Sequence, residues 1–273
     1  MKEKNTMHQK LIFTVILTML SAFCNAAEKS GREQAARIVA QIQRADYEGD
    51  RATLKKCYDA LAPLLENREL ASRVRYWRGF NLWRTALNGF NDSVDPNELE
   101  QELKQAIDEF RAAIEKDQAF VDAKVGMISC LGYLAFMKRT DTAAVQDLLG
   151  QISPLMKEAK AMAPDNPRLR WVVGPILLYQ ARESGSGPEM VIENYKTGLQ
   201  HCSNAEQDKN SLEPSWGKPE LLMSLAYTYL NGNPPNVEAA ESNARSALEI
   251  VPYWHYTRDI LLPQILAAKA KKK

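Results

Sequence analysis

The chain has 273 residues, of which 45% are hydrophobic and 25% are charged. This balance is ordinary for a folded protein with a sizeable apolar core, and it excludes an intrinsically disordered chain. The formal net charge of +1 provides no long-range attraction for a nucleic acid, so we expect no nucleic-acid partner.

The first residues have the order of features that is typical of a secretory signal peptide. A basic leader over 2–10 precedes an apolar stretch over 11–23, and small residues follow at 24–27 before the chain turns polar. The apolar stretch is shorter than the roughly 20 residues that cross a bilayer, so we expect no stable membrane span after cleavage. The sequence therefore predicts a signal peptide over 1–26, a mature domain over 28–273 and a periplasmic or otherwise extracytoplasmic location.

Two alternatives to a cleaved and free N-terminus stay open. The first is an uncleaved signal that anchors the protein in the membrane. The second is lipidation of Cys24, as in bacterial lipoproteins, although Phe23 stands where that processing requires a small residue. Ala26 and Ala27 offer the small side chains that signal cleavage needs, so we expect the cut after one of them.

Three cysteines remain after cleavage, and an odd number does not indicate a disulfide framework. Cys57 and Cys130 fall on apolar helical stripes, where a free cysteine acts as a small hydrophobic side chain. We therefore expect both of them to be buried in the core.

Apolar residues recur at helical spacing through almost all of the mature chain, and no comparable stretch alternates with period two. Helix-start residues stand in the breaks between the stripes, as at Asp95-Pro96 and Asn166-Pro167. The pattern predicts an all-α chain. We expect about eleven helices, near residues 32–46, 51–66, 69–90, 97–117, 119–138, 142–163, 168–183, 188–202, 217–231, 236–250 and 255–270.

One of these predicted helices contains a proline in its interior. Gly174-Pro175 lies within 168–183, and a proline there removes a hydrogen bond and clashes with the carbonyl one turn back. We expect Pro175 to kink or split the helix, which would reshape the wall of the domain. The alternative is a helix that begins at Pro175.

The predicted helices alternate, and the second helix of each pair has small or apolar residues at spacings of four and then three. The pattern is clearest in two helices, with Ala106, Phe110 and Ala113 in one and Ala240, Ala244 and Ala247, followed by Pro252, in the other. Because Phe110 lies on the apolar stripe of its helix, we expect its side chain to be fully buried.

With these residues the chain resembles the tetratricopeptide repeat (TPR) family over roughly 31–252. The resemblance implies an all-α, right-handed α-solenoid of about five helical hairpins, to which 255–270 adds a C-terminal capping helix. The repeats are longer than the family's unit of about 34 residues. We place the extra residues in lengthened helices and in loops, notably 91–98, 138–147 and 203–217.

No motif for catalysis, metal binding or phosphate binding is present. The chain contains no H-E-x-x-H, C-x-x-C, G-x-S-x-G or glycine-rich phosphate loop. We therefore expect no enzymatic activity, no catalytic residue, no metal site and no cofactor. The alternatives are an enzyme or enzyme subunit of cell-envelope polymer metabolism, and a lipid-anchored envelope assembly factor.

The resemblance also implies a function, because such solenoids present a concave surface that binds extended peptides or partner helices. We expect a protein or peptide partner on the first helices of the hairpins. The expected contact residues are Arg73, Tyr76, Trp83, Arg84, Trp171 and Tyr179. Packing is the alternative explanation for the aromatic members. We expect Arg84 to be solvated, so that Arg84→Glu weakens partner binding without lowering the melting temperature.

Overall fold

The computed structural model of the protein describes residues 29–202 and 211–271. The predicted signal peptide, Cys24 and the expected cleavage sites lie outside these ranges. Within them every regular element is helical and no strand is present. The α-helices are α1 (29–48), α2 (Arg51–Leu61), α3 (Ala71–Asn91), α4 (Pro96–Lys116), α5 (Val121–Met137), α6 (Thr142–Met162), α7 (Pro167–Ser184), α8 (Glu189–Gln200), α9 (Lys218–Leu230), α10 (Val237–Ile250) and α11 (Leu262–Ala270). A 3-10 helix (Ala62–Glu66) follows α2, and a π-helical turn (Tyr256–Leu261) precedes α11.

The helices form consecutive antiparallel hairpins. α3 packs on α4, α5 on α6, α7 on α8 and α9 on α10, and α11 covers α10 at the C-terminal end. The first helices also contact one another, α3 with α5, α5 with α7 and α7 with α9, so they form an inner layer. The expected all-α stack of five hairpins and a capping helix is confirmed. We call the surface formed by α1, α3, α5, α7 and α9 the inner face.

Local sequence explains where the helices begin. Asp50, Asp95, Asp141, Asn166 and Asn236 each precede a helix, and each side chain accepts a hydrogen bond from a backbone N–H of the first turn. The starts that the sequence predicts at Asp95-Pro96 and Asn166-Pro167 are therefore confirmed.

α7 runs without a break from Pro167 to Ser184, with Pro175 inside it. The expectation of a split at Pro175 and the alternative of a helix start at Pro175 are both wrong. The helix begins at Pro167, where Asn166 caps it, and continues past Pro175. Pro175 itself is exposed, and the preceding Gly174 lies directly against the ring of Tyr195 in α8. The close approach of α8 at this glycine holds the middle of α7 in place.

The core is built around α3 and the ring of Phe110 in α4. Phe110 is fully buried, as expected, and its ring lies on Gly79 of α3 and Gly126 of α5, where any Cβ atom would overlap with it. Cys57 and Cys130 are buried free thiols, which confirms that they act as small core residues.

Candidate functional site

The inner face is partly covered by the chain itself. Residues 211–217, which we call the inner segment, have no regular secondary structure and lead into α9. Their side chains alternate between the two sides of the segment. Leu212, Pro214 and Trp216 are buried, whereas Glu213 and Ser215 are exposed. The inner segment is therefore an irregular stretch of chain, bent at Glu213, with one apolar edge that it turns towards the inner face.

Trp216 is the main apolar contact of the inner segment, with only 4% of its surface exposed. Its ring centroid lies 5.7 Å from that of Phe80, 5.6 Å from that of Trp83 and 5.5 Å from that of Trp171. Its indole Nε1 donates a 2.8 Å hydrogen bond to the hydroxyl of Tyr76. Three of the expected contact residues are thus covered by the protein's own chain.

Side chains of the inner face also hold polar groups of the inner segment. The Nε1 atom of Trp77 donates to the main-chain oxygen of Leu212 at 2.8 Å, and Nη1 of Arg168 donates to that of Trp216 at 3.2 Å. Gln43 of α1 donates to the hydroxyl of Ser215 at 3.3 Å. Donors directed at main-chain carbonyls, together with pockets for alternate side chains, are the means by which proteins bind extended peptides.

Arg84 does not face solvent, because only 5% of its surface is exposed. Its Nε atom donates to Asp46 at 2.7 Å, and its Nη2 atom lies 3.8 Å from Oε1 of Glu220, which also accepts a hydrogen bond from the hydroxyl of Tyr47. Burial disfavours the charged guanidinium, but Asp46 and Glu220 outweigh it and raise the pKa of Arg84. The expectation that Arg84 is solvated is wrong, because the ends of α1 and α9 meet there.

Arg73 lies at the edge of the inner face, where it is half-buried. It forms ion pairs with Asp117 at 2.7 Å and with Glu213 of the inner segment at 2.6 Å, and its guanidinium lies 3.8 Å from the ring centroid of Phe120. It lines a polar cleft of about 360 Å³ that also contains Arg32, Arg68, Glu69 and Lys116.

Of the six expected contact residues, Tyr179 in the second half of α7 is the most open, with 65% of its surface exposed. Phe136 at the end of α5 and Met190 at the start of α8 are exposed to a similar degree. An open groove lined by Tyr76, Trp83, Arg84 and Trp171 is a wrong expectation, since these four are buried. Partner binding by Arg73 and Tyr179 stays a prediction.

Three half-buried tyrosines form a second group: Tyr133 of α5 and Tyr227 of α9 belong to helices of the inner face, and Tyr256 belongs to the π-helical turn. Within residues 29–202 and 211–271, their hydroxyls have no hydrogen-bond partner. Burial raises the pKa of Tyr256 to about 12, with smaller contributions from Tyr227 and Tyr133, because the three phenols lie near one another. We call this group the tyrosine recess.

Arg84 connects the tyrosine recess to the aromatic cluster around Trp216. Its guanidinium lies 5.6 Å from the ring centroid of Trp171, and it opposes the rise that burial causes in the pKa of Tyr133. Its Nη1 atom is buried without a partner among the described residues. The sequence pattern does not single out these tyrosines. Tyr133 and Tyr227 do lie late in predicted first helices, where a tyrosine that faces inward could indicate a binding residue.

In the described part of the chain, no group of three or more His, Cys, Asp or Glu side chains is placed to hold a metal ion. No helix in those same ranges is both long enough and apolar enough to cross a membrane.

Comparison with known proteins supports the fold. No protein-family model and no curated protein matches the chain. Among solved structures, it is similar to the crystal structure of a thermophilic TPR protein from Thermus thermophilus, with a TM-score of 0.58 over 86% of this chain and 99% of that chain. The two sequences are 14% identical, so the similarity shows the fold alone. The chain has a TPR-like helical-repeat fold.

Proposed function

We propose that this protein is an exported helical-repeat scaffold that binds a segment of a protein partner on its inner face and catalyses no reaction of its own. The observation that carries the proposal is the inner segment, whose main chain is held by side-chain donors of α3 and α7. The TPR-like fold supports it, because such repeats present rigid surfaces to extended peptides. Export is inferred from the order of basic, apolar and small residues over 2–27.

We place the bound segment at the tyrosine recess, where two of the three tyrosines belong to helices of the inner face. Its three hydroxyls have no partner among the described residues, so each of them can donate a hydrogen bond to an acceptor of the bound segment. Asp46 and Glu220 beside Arg84 oppose the approach of another carboxylate. A neutral acceptor, such as a main-chain carbonyl, fits this arrangement best.

Affinity capture from an envelope extract of the source organism tests the proposal. The mature protein should retain a partner, and the double variant Tyr133→Phe/Tyr227→Phe should bind it about tenfold more weakly, because two hydrogen bonds of about 0.5–1.5 kcal/mol each are lost. Both rings remain, so packing is preserved. Tyr253→Phe is the matched control, since Tyr253 lies against Arg44 and Tyr47 outside the recess. Equal losses in the double variant and the control would contradict the proposed site.

Export has a separate test, which is mass spectrometry of the N-terminus of the protein from its own cells. Cleavage gives a chain that begins at residue 27 or 28. A chain that keeps residues 1–26 would indicate an uncleaved anchor, and a chain that begins at a lipid-modified Cys24 would indicate a lipoprotein. Either result contradicts the free exported form.

A further inference from the structure

The inner segment has the sequence Ser-Leu-Glu-Pro-Ser-Trp-Gly and buries every second side chain. We infer that it is an intramolecular ligand of the inner face, and that the partner segment carries the same pattern and competes with it. The pattern is a stretch without helix or strand that carries two bulky apolar side chains four residues apart, the second of them aromatic. This inference rests on the proposed function and adds the chemistry of the partner.

The first argument is that each anchor has its own pocket. Trp216 is surrounded by Phe80, Trp83 and Trp171, and its indole N–H is satisfied by Tyr76. Leu212 is 2% exposed, and its carbonyl accepts a hydrogen bond from the indole N–H of Trp77. Aromatic anchors in desolvated pockets dominate the binding energy of interfaces, so these two sites define what a partner has to supply.

The second argument is that the contacts of the inner segment have the form of a binding interface. The segment has no helix or strand of its own, and side chains of α1, α3 and α7 donate to Ser215, Leu212 and Trp216, while Glu220 of α9 accepts from the N–H of Gly217. A partner segment with the same two anchors would make the same contacts with the inner face. Glu213 adds a pair with Arg73, so an acidic residue after the first anchor would also be favoured.

The third argument is the position of the tyrosine recess. Arg84 contacts the rings of Trp83 and Trp171 beside Trp216 and also acts on Tyr133 in the recess. Ser224, one turn before Tyr227 in α9, accepts a 2.9 Å hydrogen bond from the indole N–H of Trp171, whose ring contacts Trp216. A segment bound through Tyr227 would therefore lie about one helical turn from the aromatic cluster around Trp216.

The test uses the full-length chain with Trp216→Ala and a synthetic peptide of residues 211–217. Circular dichroism should show that the variant melts at a lower temperature than the wild type. The peptide should raise that melting temperature in a saturable way, because its tryptophan fills the vacated pocket. The same peptide with both its leucine and its tryptophan replaced by alanine should leave the melting temperature unchanged.

Phe110→Ala is the matched control variant, since Phe110 is also fully buried but lies in the contact between α3, α4 and α5, where Tyr76 and Trp83 stand between its ring and Trp216. The peptide should not stabilise it. Leu212→Ala replaces Trp216→Ala if the latter does not fold. A folded variant that gains no stability from the peptide, or an equal gain in Phe110→Ala, would overturn the inference.

The outcomes also separate this inference from the proposed function. If the peptide fails while the wild-type protein still captures a partner, the inner segment is a permanent part of the core and only this inference is lost. If the peptide binds but no partner is captured from the extract, the proposed function is contradicted, and so is competition by a partner segment.

Discussion

Arg84 lies between two carboxylates in the interior, and its position shows what a single buried charge does for this fold. Asp46 belongs to α1 and Glu220 to α9, so one guanidinium joins elements that are far apart in sequence. A buried pair of this kind adds little net stability when it is intact, because desolvation offsets the attraction. Its removal is costly, because an unpaired charge is left in the interior.

Arg84→Glu should therefore destabilise the protein strongly. It places a third carboxylate beside Asp46 and Glu220, and breaking a buried pair costs about 3–5 kcal/mol. Urea denaturation measures the loss. Lys104→Glu is the control on an exposed helix face, where a change below about 0.5 kcal/mol is expected. An unchanged melting temperature for Arg84→Glu would restore the interpretation that this arginine is solvated.

Glu220 gives the stability a pH dependence of known sign. Burial raises its pKa in the fold above the ordinary value of 4.5, although Arg84 acts in the opposite direction. The folded state therefore binds the proton more tightly, and the stability from this group is present below pH 4.5 and is lost as the pH rises through the raised pKa.

Comparison of Glu220→Gln with the wild type isolates this effect, since glutamine has no charge to titrate. As the pH rises from about 4.5 to 7, the free energy of unfolding of the wild type should fall relative to that of the variant. Urea denaturation at several pH values measures the difference. A constant difference would mean that Glu220 titrates in the fold as it does in the unfolded chain.

Phe110 is the side chain on which the hairpins α3/α4 and α5/α6 meet. Phe110→Ala should cost about 3–5 kcal/mol, because a fully buried ring is lost and Gly79 and Gly126 cannot fill the space. Chemical denaturation tests this value. A loss below about 1 kcal/mol would mean that the site collapses around the smaller side chain.

At the scale of the element, the packing of α7 on α8 depends on a glycine. A Cβ atom at Gly174 would overlap with the ring of Tyr195, whereas a Cβ atom at Gly132 in α5 would meet nothing within 4 Å. Alanine favours a helix over glycine by about 1 kcal/mol at either position. Overpacking costs about 1–3 kcal/mol, so it outweighs that gain only at Gly174.

We therefore expect opposite signs for the two substitutions. Gly174→Ala should lower the free energy of unfolding, and Gly132→Ala should raise it by about 0.5–1 kcal/mol. Thermal or urea unfolding of the two variants, compared with the wild type, gives both values. A stabilising Gly174→Ala would show that α8 can move away from α7 without loss.

The positions of the helices follow from local sequence, and the position of the inner segment does not. Apolar periodicity and caps such as Asp95 and Asn166 act within a few residues, so most helix bounds agree with those expected. Residues 203–217 read as an inserted loop, and nothing nearby shows that Trp216 binds Trp83 and Trp171. Those partners lie 133 and 45 residues away in sequence, and only the assembled stack brings them together.

The same reason explains the expected contact residues. Periodicity places Trp83 and Trp171 correctly on first helices, but it cannot tell an inward face that meets solvent from one that the chain itself covers. The sequence makes Arg84 look solvated because Asp46 and Glu220 are distant along the chain. A charge on a helix face reveals its burial only when its partners are known.

At the scale of the whole molecule, the two ends of the repeat stack are tied together. Tyr47 at the end of α1 packs on Trp254 with ring centroids 5.1 Å apart, and Gly49 lies against His255. In an open solenoid each repeat contacts only its neighbours. Here the first and last hairpins also contact each other, so local unfolding at one end should destabilise the other end.

Trp254→Ala should therefore loosen α1, although α1 lies at the opposite end of the sequence. Hydrogen exchange of residues 29–48 should become faster, while exchange in α5 and α6 stays close to that of the wild type. Leu266→Ala, at an exposed position of the capping helix α11, is the control, because it leaves the Tyr47–Trp254 contact in place. Unchanged exchange in α1 would mean that the contact between the ends contributes little.

The aromatic cluster around Trp216 contains most of the tryptophans that give the protein its intrinsic fluorescence. All five tryptophans of the chain lie in described residues, and Trp83, Trp171 and Trp216 have ring centroids less than 6 Å apart. Trp77 contacts the same cluster, because its ring packs on Phe80 and its indole N–H donates to the carbonyl of Leu212. Excitation energy passes readily between rings this close, so the intrinsic fluorescence reports mainly on the junction between the inner segment and the repeats. Displacement of the segment should therefore shift the emission maximum, which can be followed without any added dye or label.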